Sequence, residues 1–252
     1  MTVKEFYNKL TELYPEVLSC EWDNDGLMCC ADTSAEVKKV LVTLDVTAEA
    51  LHYARDNGFD VILSHHPMIF KGLKAVCDNS LTGSRAVFAI KNGISVISLH
   101  TRLDAGNCGV NDCLAKLLGL TDIAVFGDDE CPTLGRIGIT DSTSEDFISN
   151  LKNALGIKKV SAYLTRDIKR VAVVGGSGKD FIYPAIAAGA DTLVTGECSY
   201  NAALDAANSG LNIIEAGHYA TEFPVCHRLK ELAEGIANAE AEIFEIDIIK
   251  EM

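Results

Sequence analysis

The residues best suited to chemistry in this chain are histidines and carboxylates that stand just beyond short apolar runs. His65 and His66 follow Val61-Ile-Leu-Ser64, and the segment His100-Thr-Arg-Leu-Asp104 follows Ile94 to Leu99. In the second half, Gly196-Glu197 and Gly217-His-Tyr-Ala-Thr-Glu222 occupy the corresponding places. Four of the six histidines sit at these positions, while His52 and His227 fall on helical segments where a surface role is expected. Each half carries His-x-x-x-Asp/Glu, and on a first helical turn positions i and i+4 share a face, so an imidazole and a carboxylate can reach a common point. Three imidazoles with two carboxylates exceed what one tetrahedral zinc needs and suit two divalent ions with water completing each shell. Paired ions roughly 3.5 to 4 Å apart acidify water and clamp attacking and leaving oxygens, which makes hydrolysis the natural chemistry.

Two details stay open at the level of residue types. Neighbouring residues of a regular strand point to opposite faces, so His65 and His66 can serve one ion only if the strand has broken before them, or two ions if they flank its tip. His100 is equally compatible with direct ligation and with a place behind the ligands. Mixed imidazole and carboxylate shells accept zinc, iron, manganese and nickel alike. A serine-nucleophile alternative lacks its Gly-x-Ser-x-Gly elbow. Gly175-Gly-Ser-Gly178-Lys179 follows a strand and has something of a phosphate-cradling turn, but it lacks the spacing of a P-loop or dinucleotide fingerprint and is expected to be a tight turn.

The elements that must hold these groups alternate in a βαβαβ order. Val40 to Asp45 reads as strand, Thr47 to Asn57 as helix, and Val61 to Ser64 as a buried strand whose C-terminal tip carries the histidines; Leu81 to Asn92 is a further helix and Ile94 to Leu99 a further strand. The C-terminal rim of such a parallel sheet is where ligands bind. Earlier, Thr2-x-x-Glu5 is a capping box opening a helix that Pro15 ends, and Trp22-Asp-Asn-Asp-Gly-Leu27 is a polar loop holding the only tryptophan. Asn107 is expected to cap a helix carrying Val110, Cys113, Leu114 and Leu117 that Gly119 ends, Ser144 to open another, and the chain to close with a helix near Thr221 to Glu234 and an alternating strand at Ile243, Phe244, Ile246 and Ile248.

The second half repeats the first. Val37 to Asp45 is echoed by Ile168 to Gly176, Gly58-Phe-Asp60 to His66 by Gly189-Ala-Asp191 to Glu197, and Asn92 to His100 by Ser209 to Gly217. The first two elements are equally spaced in both halves, whereas the third lies further on in the first half, which places an insertion at Pro67 to Asn79. The expected architecture is therefore α/β: two similar halves from an internal duplication, with mostly parallel sheets. The boundary is placed at 126/127, within Phe126-Gly-Asp-Asp-Glu-Cys-Pro132, giving halves 1–126 and 127–252 that are free to interleave.

Composition narrows the function classes. The chain has 252 residues, 48% of them apolar, enough for a sizeable core, and a formal net charge of -14 that argues against nucleic acid or an anionic membrane as partner. No apolar run reaches the roughly 18 residues of a membrane span, and Met1-Thr-Val-Lys4 does not open a signal peptide, so a cytoplasmic protein is expected. Nine cysteines with no C-x-x-C read as reduced core thiols, not a metal site.

Taken together, Ser64-His-His-Pro67, His100-Thr-Arg-Leu-Asp104, Gly217-His-Tyr-Ala-Thr-Glu222, Trp22-Asp-Asn-Asp-Gly-Leu27 and Thr195-Gly-Glu197 resemble the Nif-three-like family, the NGG-one-interacting-factor dinuclear metal proteins also labelled GTP cyclohydrolase I type 2 homologues. The resemblance spans nearly the whole chain. It implies two divalent metal ions per subunit held by His65, His66, Asp104, His218 and Glu222 in a cleft between two α/β domains, with Glu222 bridging, and a toroidal homohexamer. His100 and Glu197 are then candidate proton-transfer groups for a hydrolase acting on a small nucleotide-like or phosphorylated substrate; the alternative is a metal-binding regulatory or scaffold protein without turnover. Where the family more often has His-Thr-Asn-x-Asp, Arg102 stands here in place of the Asn, which questions a substrate contact at that position.

Overall fold

Thr2 opens α1 (Val3–Leu13) through the expected reciprocal cap: its hydroxyl accepts from Glu5 N at 3.2 Å, and the Glu5 carboxylate accepts from Thr2 N at 2.8 Å. A short strand β1 (Gly26–Cys29) precedes the alternating run β2 (Lys39–Thr43), α2 (Ala48–Asp56), β3 (Val61–Ser64), α3 (Leu81–Lys91) and β4 (Ser95–Ser98), which leads into α4 (Thr101–Ala105). There follow α5 (Val110–Leu117), β5 (Thr121–Phe126), β6 (Gly135–Ile139), α6 (Ser144–Leu155) and β7 (Ser161–Tyr163), then a second alternating run of β8 (Arg170–Ser177), α7 (Ile182–Ala187), β9 (Thr192–Glu197), α8 (Tyr200–Asn208) and β10 (Asn212–Glu215). α9 (His218–Glu222), α10 (Val225–Ala237) and β11 (Glu240–Ile243) complete the order. The structure, a computed structural model, describes residues 1–249.

The chain forms two units, each with its own sheet. The first unit takes residues 1–103 and, again, the chain from Val225 onward; the second is Asp104–Pro224. The partition therefore falls at 103/104 and 224/225, not at 126/127. The physical reason is pairing: β5 and β6 form an antiparallel ladder across the Gly127–Pro132 turn, so that turn is internal to the second unit, while β11 pairs in parallel with β2 and carries the C-terminal segment back to the first.

In the first unit the sheet order is β1-β4-β3-β2-β11, parallel except for the edge strand β1. Leu41, Ile62 and Val96 from its strands pack with Leu51 and Ala54 of α2 and Ala86 and Ala89 of α3, all essentially buried. Each such Leu, Ile or Val side chain withdrawn from water contributes about 1.5–3 kcal/mol against the chain entropy, and each alanine methyl less. In the second unit the order is β5-β6-β8-β9-β10-β7, where β8, β9 and β10 are parallel and the flanking pairings antiparallel. Here Val171, Val173, Val194 and Ile214 pack with Leu114 of α5 and with Phe147 and Leu151 of α6.

The internal echo in sequence is an echo in structure. Val40 pairs with Val61 and Val171 with Thr192, at equal spacing, while the partner of Val61, Ser95, lies further along the chain than the partner of Thr192, Asn212. The excess falls in the irregular stretch from His65 to Ser80, between β3 and α3. The aspartates of the Gly-x-Asp openings play one role in both halves. Asp60 accepts from Lys38 N and Lys39 N at 2.8 Å, and Asp191 from Lys169 N at 3.0 Å and Arg170 N at 2.7 Å. Each carboxylate satisfies backbone donors where the neighbouring strand begins.

Several local expectations shift. The helix at Val110 is preceded by Gly109 as N-cap, not Asn107, and Thr143 caps α6 by accepting from Asp146 N at 3.1 Å. The C-terminal strand is Glu240–Ile243, earlier than the alternating run suggested. Gly175–Ser177 continue β8 instead of forming a separate turn. Seven cysteines are free thiols, and burial and the neighbouring Cys30 push the Cys29 thiol up to about 11. No helix among the described residues is long and apolar enough to cross a membrane.

Candidate metal centre

In the first unit, β3 ends at Ser64, so His65 and His66 lie past the last strand residue and are released from the alternation that would have set them on opposite faces. Their rings lie 4.9 Å apart, and His100, just beyond β4, brings a third ring 5.3 Å from His65 and 5.8 Å from His66. Each can offer a ring nitrogen such that the three atoms lie within 4.8 Å of one another. Backbone bonds fix the rim: His65 N donates to Thr43 O at 3.3 Å, His66 N to Leu44 O at 2.9 Å and Leu99 N to Ser64 O at 3.0 Å.

All three imidazoles are oriented through Nδ1. His65 Nδ1 meets Leu99 O at 3.1 Å, His66 Nδ1 meets Asp45 Oδ1 at 2.9 Å, and His100 Nδ1 meets Asp23 Oδ1 at 2.8 Å. A hydrogen bond on Nδ1 selects the tautomer and ring angle at which Nε2 is the nitrogen a metal would take, and a carboxylate partner raises its basicity. Asp45 closes the run that β2 begins and Asp23 belongs to the tryptophan loop, so both orienting carboxylates come from sequence far from their histidines.

Asp23 is the most heavily used of these groups. It also accepts from Thr101 N at 3.0 Å and Thr101 Oγ1 at 2.6 Å, which ties the tryptophan loop to the start of α4. Burial opposes its ionisation, yet the hydrogen bond and charge of His100 and the two bonds from Thr101 outweigh that cost and hold its pKa at about 2. Beside it, Arg102 is a buried fork on Asp25: Nε donates to Oδ2 at 2.8 Å and Nη2 to Oδ1, and Ser19 Oγ adds a bond to the same carboxylate at 3.0 Å. Arg102 is 2% exposed, so its side chain is an internal brace that faces a carboxylate of its own chain.

In the second unit, α9 starts directly after β10 and sets His218 and Glu222 one turn apart, with His218 Nε2 3.0 Å from Glu222 Oε2. Glu197, at the tip of β9, meets His218 Nδ1 at 3.1 Å. Asp104, from α4, is buried and offers a carboxylate oxygen within 4.8 Å of one from Glu222. The structure thus gathers His65, His66 and His100 in one unit, and Asp104, Glu197, His218 and Glu222 in the other.

The residues that sequence reasoning passed over are mainly Asp45, Asp23 and Gly176. Gly176 has φ of +64°, and a Cβ there would lie 2.1 Å from Glu222 Oε1 and 3.1 Å from His218 Nε2. Gly196 is similarly closed off, since its Cβ would lie 2.6 Å from Gly176 O and 2.8 Å from His218 Cα. Two glycines therefore make room for α9 to lay its ligand pair against the strand tips. The available signal was a Gly-Gly inside an apolar strand, which marks close approach as well as it marks a turn.

A donor set of imidazole nitrogens and carboxylate oxygens, with every imidazole oriented by a bond on its far nitrogen, suits a borderline divalent cation and has no thiolate to favour a soft one. The family described as Duf34/NIF3 (NGG1p interacting factor 3) matches residues 1–252. A Clostridium perfringens protein named GTP cyclohydrolase 1 type 2 homolog is 32% identical over 238 residues, covering 92% of this chain and 90% of that protein. A hypothetical protein of Staphylococcus aureus superposes with a TM-score of 0.90 at 30% identity, covering 100% of this chain and 99% of its own. A Bacillus cereus protein related to NIF3 shares the fold with a TM-score of 0.86 at 24% identity, over 100% of this chain and 99% of its own.

Proposed function

Because the chain belongs to the Duf34/NIF3 family, we propose that it is a dinuclear divalent-metal-dependent hydrolase acting on a small nucleotide-like or phosphorylated substrate, as the name of its GTP cyclohydrolase 1 type 2 homologues suggests. The observation that carries this reading is the common orientation of His65, His66 and His218, each held through Nδ1 by a carbonyl or carboxylate. In this reading His65 and His66 join Asp104, His218 and Glu222 in serving one pair of ions, with Glu222 shared. When bound, such a pair would supply Lewis acidity to the scissile group and acidify water at the site.

The remaining work falls to the chain itself. Asp45, Leu99 O and Glu197 keep the imidazoles from turning, so no reorganisation is needed when a substrate arrives. Of the two groups expected to move protons, His100 fits better: its Nδ1 is held by Asp23, so Nε2 is the atom at which a proton is accepted or returned. Glu197 acts through His218 and is assigned here as a positioning residue.

The test is to load the full chain with zinc, manganese, iron or nickel, measure metal content per subunit, and screen phosphoester, cyclic amide and GTP substrates. Asp104→Ala and Glu222→Ala should each abolish turnover and lower the metal content. Turnover that survives both unchanged rejects the mechanism. If no metal form turns over any of these substrates while chelation dissociates the oligomer, the protein is a metal-organised scaffold instead. The same reading carries a homohexamer, which sedimentation with and without chelator measures directly.

A further inference from the structure

Beside the histidine trio stand two large aromatic side chains in solvent. Trp22 is 53% exposed and Phe70 is 46% exposed. Their rings lie 6.1 Å apart, Trp22 lies 6.2 Å from the His100 ring and Phe70 lies 6.0 Å from it, all three pairs edge to face. Exposed apolar rings usually fold over onto a neighbouring surface to escape water, so a pair that stays out has to be held out.

The hydrogen bonds show how. Cys20 N donates to Thr101 Oγ1 at 2.9 Å, and Asp23 is fastened to His100 and Thr101, so Trp22 is carried between two buried anchors. Asn24 Nδ2 donates to Ile69 O, which ties the tryptophan loop to the segment bearing Phe70. Asp25 is turned inward onto Arg102 and Ser19. The wall is thus rigid, and the carboxylates of its own loop are engaged internally. Ring faces attract cations as well as planar rings, which makes a cationic ligand the necessary control.

We propose that Trp22 and Phe70 form a stacking wall for a planar heteroaromatic ring of the substrate, delivering it edge-on to His100 and the neighbouring His65 and His66. This rests on the hydrolase reading above for the word substrate, but the ring-binding step itself needs no turnover. Stacking tolerates any base because every base has a π-face, so the wall selects for a ring without selecting which one. It also accounts for the insertion between β3 and α3, since Phe70 belongs to that extra stretch and has no counterpart in the second half.

Trp22 is the only tryptophan, so its emission reports the wall directly. The full-length protein, zinc-loaded and chelated in parallel, is titrated with guanosine, adenosine and cytidine 5′-monophosphates, with ribose 5-phosphate as the ringless control and choline as the cationic one. At least one nucleotide should quench Trp22 saturably and ribose 5-phosphate should not. By calorimetry, Trp22→Ala and Phe70→Ala should each weaken that nucleotide about tenfold, with Trp22→Phe recovering most of the loss. The proposal is overturned if no nucleotide quenches saturably, if ribose 5-phosphate binds as tightly as the nucleotides, if choline alone binds, or if the alanine variants, shown folded by circular dichroism, bind like the parent. Glu222→Ala separates the two readings. Ring binding that persists without turnover upholds the wall and leaves the hydrolase to its own test, whereas turnover in a protein that binds no ring sinks the wall alone.

Discussion

Removing the Arg102 guanidinium should cost more stability than any other polar substitution in the first unit. Arg102 and Asp25 are 2% and 3% exposed at their side chains, so Arg102→Ala strands a carboxylate out of water. Breaking a buried pair from one side costs about 3–5 kcal/mol. Asp25 retains Ser19 Oγ at 3.0 Å as a donor, which places the expected loss near the lower end, about 3 kcal/mol. Against a total of roughly 5–15 kcal/mol for a domain, that is a large share. The assay is urea unfolding followed by Trp22 emission, which reads the first unit selectively because Trp22 sits on the loop that Asp25 helps to fasten. Arg102→Lys should recover little, since an ammonium cannot make the two-pronged contact, and Arg102→Met with Asp25→Leu should recover most of it, because the charge and its counter-charge leave together. A loss under about 1 kcal/mol for Arg102→Ala at unchanged m-value, or equal loss in the single and double variants, would refute the account of Arg102 as a brace.

Gly176→Ala should destabilise the second unit by about 1–2 kcal/mol from the left-handed backbone alone, and should further displace Glu222, so metal content falls while far-ultraviolet circular dichroism is kept. Asp45→Asn and Glu197→Gln should each weaken zinc affinity by about 10- to 100-fold without unfolding the protein, as read by competition with a chromophoric chelator. For Asp23, the folded pKa of about 2 lies below the ordinary aspartate value of 3.8, so its contribution is present above about pH 4 and is lost as pH falls towards 2. Acid unfolding monitored at Trp22 should therefore shift to higher pH and flatten in Asp23→Asn, with about 1–2 kcal/mol removed at neutral pH.

Much of this molecule is legible in its sequence because burial imposes a pattern. A strand covered on both faces, such as Val61–Ser64, must be a largely apolar run, and the groups at its tip are then the ones free to be polar. The five expected ligands and His100 stand at strand tips or on the short helices that follow them for that reason. What escaped notice obeys weaker constraints. β5 is exposed along most of Thr121–Phe126, so nothing in its side chains announces a strand, and the partition of the chain was misplaced with it. Asp45 and Asp23 are ordinary turn residues until a histidine far along the chain is brought against them. Arg102 read as a departure from a substrate-contacting position, and only its partner Asp25 reveals a brace.

The return of the chain to the first unit after Pro224 also orders events during synthesis. The second unit is a single uninterrupted stretch and has its whole sheet once β10 has left the ribosome, whereas β2 waits with one bare edge until β11, made after all of the second unit, arrives to cover it. Nascent chains stalled shortly before Glu240 should therefore expose that edge to chaperones while their inner unit is already closed, making the outer unit the point at which newly made molecules are lost.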